Sequence, residues 1–116
     1  MTVLSEAKLL KEQVRAKNKE TLMEVINSTA LSDEQKQEAV QTMVQMTTVA
    51  EKELGAEILL QAKGFDGVVV SISGDGADVV VNALELTDAQ RAQIEDIVKR
   101  KAGIPAENII ISTVVE

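Results

Sequence analysis

The apolar positions of this chain change their spacing along its length, and the changes divide it into elements. Val3, Ala7, Leu10 and Val14 recur every three or four residues; Leu22, Val25 and Ile26 resume the stripe after a gap at Lys17-Asn18-Lys19-Glu20. That period predicts a helix from about Leu4 to Ser28. With no apolar side chain in the gap, the helix is expected to stand clear of the core in its first half and to pack through its last turns. Ser32-Asp33-Glu34-Gln35 has the form of a capping box and opens a second helix that runs through Ala62. Its buried stripe is predicted at Ala39, Val40, Met43, Thr47, Ala50, Leu54 and Ile58, with Gly64 as the stop. Met43 and Met46 read as adaptable filling rather than as a recognition surface.

From Val68 the period becomes two. Asp75-Gly76 is a turn dipeptide of the kind that favours tight hairpins. Centring a hairpin there sets Ser73 opposite Asp78, Ile72 opposite Val79, Val70 opposite Val81 and Val68 opposite Ala83. Val68, Val70, Ile72, Val79, Val81 and Ala83 then share one apolar face. The other carries Val69, Ser71, Ser73, Asp78, Val80 and Asn82, and a one-residue slip would exchange the two. Thr87-Asp88-Ala89-Gln90 repeats the capping box. Asp88 in the first turn and Lys99-Arg100-Lys101 in the last suit the helix dipole, with Ile94, Ile97 and Val98 facing inward. Gly103 and Ile104-Pro105 end this helix. Ile109 to Val115, rich in β-branched residues, is the third strand.

The order ααββαβ predicts an α+β domain, a three-stranded sheet with helices packed on one face. The helix between the second and third strands returns the chain parallel, through a right-handed crossover. The third strand can lie beside either hairpin strand and is an edge in both arrangements. It contains neither Lys nor Pro, the usual protections of an edge, and such edges tend to be occupied.

Composition narrows the chemistry. At 116 residues the chain is one domain with a modest core. Phe65 is the only aromatic residue, so that core is built from Val, Ile, Leu, Ala and Met. There is no cysteine for disulfide, zinc or thiol chemistry, which leaves the compartment open. There is also no histidine, the commonest general base and metal ligand. The net charge of −7 argues against a nucleic-acid surface. No stretch reaches the ~18 apolar residues of a membrane helix, and Met1-Thr2-Val3-Leu4-Ser5 lacks the core of a signal peptide. The chain starts almost inside a helix, as expected of a segment with more protein upstream.

No residue cluster reads as a catalytic or metal site. Asp66, Asp75 and Asp78 lack EF-hand spacing and are explained by turns. Gly64-Phe65-Asp66-Gly67 has the G-x-x-G form of a KH clamp, but it joins a helix to a strand and contains an acid. Ser71, Ser73 and Ser112 have no base in view. Glu51/Glu53 and Glu95/Asp96 are expected on solvated faces. The expectation is a non-enzyme without cofactor or metal. The small-residue outer face (Val69, Ser71, Ser73, Val80, Asn82) and the edge formed by Ile109, Ile110, Ile111, Ser112, Thr113 and Val114 suit strand addition by a partner. The opposing reading is an ordinary solvated sheet face.

The segments Gly67-Val68-Val69-Val70-Ser71-Ile72-Ser73, Asp75-Gly76, Thr87-Asp88-Ala89-Gln90 and Ile104-Pro105-Ala106-Glu107-Asn108-Ile109, with the helix before them, resemble the ring-building motif. This αββαβ module occurs in the inner-membrane rings of type III secretion systems and flagella. Within that group the chain resembles the extracytoplasmic domain of the stage III sporulation protein AH family, from the leading helix to Asn108-Ile109-Ile110-Ile111-Ser112. The resemblance implies a leading helix over residues 1–31, a partly protruding connector, and a ring-building domain over residues 32–116. It implies a membrane helix upstream, in the outer forespore membrane, and a domain in the space between mother cell and forespore. The partner would be stage II sporulation protein Q. Together, with homo-oligomerisation into a ring, they would form a channel or ring needed for engulfment and late forespore gene expression. The family carries no catalytic residues. The competing reading is a KH-like nucleic-acid-binding module.

Overall fold

A computed structural model describes residues 2–116. Two long helices, α1 (Val3–Asn27) and α2 (Asp33–Ala62), precede strands β1 (Val68–Ser73) and β2 (Gly76–Asn82), helix α3 (Asp88–Ala102) and strand β3 (Ile109–Val114), the last entered through a 3-10 turn at Ala106–Asn108. The local signals act where the sequence places them. Ser32 Oγ accepts from Gln35 N–H at 3.2 Å while Gln35 Oε1 accepts from Ser32 N–H at 3.1 Å. Thr87 and Gln90 make the same reciprocal pair at 3.1 and 2.9 Å. Each pair satisfies N–H groups that a helix start leaves without an intrahelical partner. Gly103 ends α3 at φ 71°.

The sheet order is β1-β2-β3, with β1 antiparallel to β2 and β3 parallel to β2. The third strand therefore joins the hairpin beside β2 and is an edge. The hairpin register departs from the expected one. Val68 pairs with Val81, Val70 with Val79, Ile72 with Ala77 and Ser73 with Gly76, so the central turn residues are Gly74-Asp75. Gly74 takes φ 61° and Asp75 does not have a positive φ, the signature of a type II′ turn with glycine first. The displacement is two residues and keeps each residue on its expected face. Val68, Val70, Ala77, Val79 and Val81 are buried beneath the helices, with Ile72 and Ala83 partly buried beside them. Asn108 Nδ2 donates to Asp75 C=O at 3.1 Å and ties this turn to the start of β3.

The core lies between that face and the helices α2 and α3. Ala56 and Leu60 from α2, Ile94, Ile97, Val98 and Ala102 from α3, and Phe65 and Ile104 from the flanking loops close over it. The α3 residues are those expected to face inward. The stripe of α2 is not. Val40, Leu54 and Ile58, predicted as core, are exposed, Leu54 at 56%, whereas Glu53 and Glu57, spaced with Ala56 and Leu60, are buried. The physical reason is that the carboxylates find backbone donors on β1, so burial leaves no acceptor unpaired.

Helix α1 also differs from expectation. Its first half is the half that reaches the sheet. Leu4 is buried, and it sits against Gly67 and Asn82, whose side-chain positions belong to the outer face. Glu116 Oε1 accepts from Leu4 N–H at 2.6 Å. Farther along, Leu22, Val25 and Ile26 are half-buried, as expected of the last turns. The two helices form an antiparallel hairpin. A 30-residue helix is about 45 Å long, longer than the sheet, and the molecule measures 55 × 32 × 20 Å. It is therefore the hairpin tip around 28–32 that projects.

Candidate interaction surface

The two outer strands present different backbone edges. On β1, Val70 and Ile72 direct their N–H and C=O groups away from β2, and helix side chains meet them. Val70 N–H donates to Glu57 Oε2 at 2.8 Å, Ile72 N–H to Glu53 Oε2 at 2.7 Å, and Lys11 Nζ donates to Val70 C=O at 2.8 Å. Glu53, 2% exposed, is also paired with Lys11 at 3.0 Å and with Arg15. Sequence reasoning placed Glu53 on a solvated face. The available signal was the stripe Ala39, Met43, Met46 and Ala50, whose continuation at the same spacing lands on Glu53, Glu57 and Leu60.

On β3, Val114 C=O accepts from Ala83 N–H at 3.0 Å. Because successive backbone groups alternate sides along a strand, Ile109, Ile111 and Thr113 direct theirs away from β2. No hydrogen-bond partner occupies Ile111 or Thr113 among the described residues. Ile110, 62% exposed, and Ser112 stand on the outer face beside this edge.

Of the residues expected at a partner surface, the structure thus brings Ile110, Ile111, Ser112, Thr113 and Val114 together along one accessible edge. Two others are not accessible. Ile109 is buried in the core cluster, because its side chain shares the inner face with Ala77. Val69 is 4% exposed although it is an outer-face residue, since the start of α1 covers that end of the face. Ser71 is half-buried on β1, two strands from the open edge.

The coverage by α1 is incomplete. An open groove of about 1030 Å³ runs between α1, α2 and the outer face, lined by Val3, Leu10 and Val14, by Met46 and Val49, and by Val69, Val80 and Val114. Val3, Leu10 and Val14 are exposed along it. A smaller space of about 180 Å³ lies between α1 and α2 beside Met43 and Met46. The larger groove is also lined by Thr42, Ser71, Ser73, Lys11 and Glu53, but Lys11 and Glu53 bond to each other and to the β1 backbone, and no hydrogen bond joins either to one of the three hydroxyls among the described residues. Gly64-Phe65-Asp66-Gly67 buries Phe65 in the core and carries the chain from α2 into β1. No group of three potential metal ligands occurs among the described residues, and none of the described helices is long and apolar enough to cross a membrane.

The whole chain superimposes on a chain of a solved structure described as "Structure of the SpoIIQ-SpoIIIAH pore forming complex", with TM-score 0.87, 20% identity and complete coverage of both chains. At that identity the likeness establishes the fold. No curated protein matches the chain by sequence. The family model described as SpoIIIAH-like protein matches residues 2–111, from the docked start of α1 into β3, and the chain belongs to that family.

Proposed function

We propose that this domain is a non-enzymatic assembly module of sporulation that binds SpoIIQ by accepting one of its strands along β3. The observation that carries the reading is the β3 edge, where the backbone groups of Ile111 and Thr113 point outward without partners and Ile110 is exposed beside them. Main-chain hydrogen bonds supply affinity in such a contact, and alternate side chains supply specificity. Family membership supports it, as does a fold shared with a chain of a complex that contains SpoIIQ.

In this reading residues 32–116 are the ring-building module and residues 1–31 the connector to an upstream membrane segment. The domain then stands in the space between mother cell and forespore. It contributes, as a homo-oligomeric ring, to a channel with SpoIIQ. The test is Ile111→Pro or Thr113→Pro. Both N–H groups point away from β2, so proline removes no ladder bond, as tolerated on an edge. Each variant should fold, by circular dichroism, and lose at least roughly tenfold in affinity for the SpoIIQ extracytoplasmic domain, the loss of about 1.4 kcal/mol. Folded variants that bind normally would overturn strand addition at this edge.

A further inference from the structure

Two strands of this sheet have an edge, and helix side chains occupy only one of the two. Among the backbone groups that β1 turns away from β2, and that an added strand would use, are Val70 N–H, Val70 C=O and Ile72 N–H. They are taken by Glu57, Lys11 and Glu53, at 2.8, 2.8 and 2.7 Å. These are not loose surface contacts, because both carboxylates are buried. Glu53 is further held by two cations from α1, Lys11 and Arg15. Apolar residues at positions 53 and 57 could be buried there but offer no acceptor. They would leave the β1 donors unpaired, to be met by water or by another chain.

We infer that Glu53, Glu57 and Lys11 close the β1 edge against a second copy of this chain, so that each domain accepts one strand, at β3. Without them the molecule has two open edges on opposite sides of one sheet, both rich in β-branched residues. β3 of one copy can then pair with β1 of the next. That contact is head-to-tail, and unless its rotation closes a ring it propagates as an open-ended continuous sheet. Closing β1 removes this competitor for β3. The inference shares with the proposed function only the use of β3 as the accepting edge; it does not depend on which protein occupies that edge.

The test is the double variant Glu53→Ala/Glu57→Ala, compared with wild type by sedimentation and light scattering over a concentration series. The variant should gain mass with concentration in steps of the 12.5 kDa chain, and adding Thr113→Pro should return it to the wild-type mass. A folded double variant with wild-type mass at every concentration would overturn the inference. So would oligomers that persist when β3 is blocked, since they would not be strand pairs. If the double variant does not fold, amide hydrogen exchange in the wild type decides. Slow exchange at Val70 and Ile72 with fast exchange at Ile111 and Thr113 supports closure of one edge; fast exchange at all four overturns it. SpoIIQ binding is scored separately: Thr113→Pro alone reports on that contact, whereas the double variant keeps β3 intact.

Discussion

Replacing Glu53 with alanine tests how much of the fold rests on the contact between α1, α2 and β1. The substitution removes the acceptor of Ile72 N–H at a site 2% exposed. A buried donor left without a partner costs about 1–3 kcal/mol. It also releases Lys11 and Arg15, but their side chains keep 24% and 33% of their exposure and can turn to water. That part contributes about 1 kcal/mol or less, nearer to an exposed pair than to a dry one. The expected loss is therefore about 1–4 kcal/mol, a substantial share of the ~5–15 kcal/mol of a typical domain. Near the midpoint this corresponds to a fall in Tm of roughly 4 °C per kcal/mol. Glu53→Gln keeps a carbonyl acceptor for Ile72 N–H but turns an NH2 donor toward Lys11 and Arg15, which then turn to water, so its loss should be about 1 kcal/mol. The exposed neighbour Glu51→Ala, the control, should stay within about 0.5 kcal/mol of wild type. Urea denaturation measures all three. A Glu53→Ala variant no less stable than Glu51→Ala would refute the argument, and a Glu53→Gln loss equal to that of alanine would assign the effect to the contacts with Lys11 and Arg15 rather than to the bond from Ile72 N–H.

Two further stability predictions use the same assay. Gly67 has φ 80°, and a Cβ there would lie 3.2 Å from Leu4 Cδ1 and 3.3 Å from Asn82 Cβ, whereas Gly74 has φ 61° and open space around it. Gly74→Ala should cost about 1–2 kcal/mol for the backbone alone and Gly67→Ala about 1 kcal/mol more for overpacking; equal losses would mean that Leu4 yields without cost. Thr87→Ala removes the acceptor for Gln90 N–H at the start of α3 and should lose about 1 kcal/mol, largely restored by Thr87→Ser; an unrestored loss would point to the methyl group instead.

What could be read from the sequence divides along the range of the interactions involved. Caps at Ser32-Gln35 and Thr87-Gln90 were legible because each is complete within four residues. The faces of the hairpin were legible because alternation reports parity. Its register was not, because Gly74-Asp75 and Asp75-Gly76 are both good turns and a two-residue shift leaves every side chain on its face. The inward face of α2 was misread for a different reason. Hydrophobicity favoured Val40, Leu54 and Ile58, but the position of a carboxylate depends on whether a distant strand offers it donors, and β1 offers Val70 and Ile72 to Glu57 and Glu53. The edge character of β3 was deducible from topology alone, since a strand joining a closed hairpin in a three-stranded sheet has one free side.

The helical hairpin explains why one edge is closed and the other is not. Its seam changes character along its length. Near the tip Leu22, Val25 and Ile26 share it with Ala39 and Met43, whereas at the sheet Lys11 and Arg15 face Glu53. An apolar seam would hold the helices together equally well throughout, but it has no groups to offer a strand. The charged half instead uses its surplus hydrogen-bonding capacity on β1, so the docking of α1 and the closing of that edge are one arrangement. Leu4 fixes the start of α1 over the outer face, and Glu116, beyond the end of β3, caps it. A strand added along Ile110–Thr113 therefore meets α1 only toward the Val114 end. In the proposed contact, a strand on β3 leaves in place the helix that keeps β1 closed.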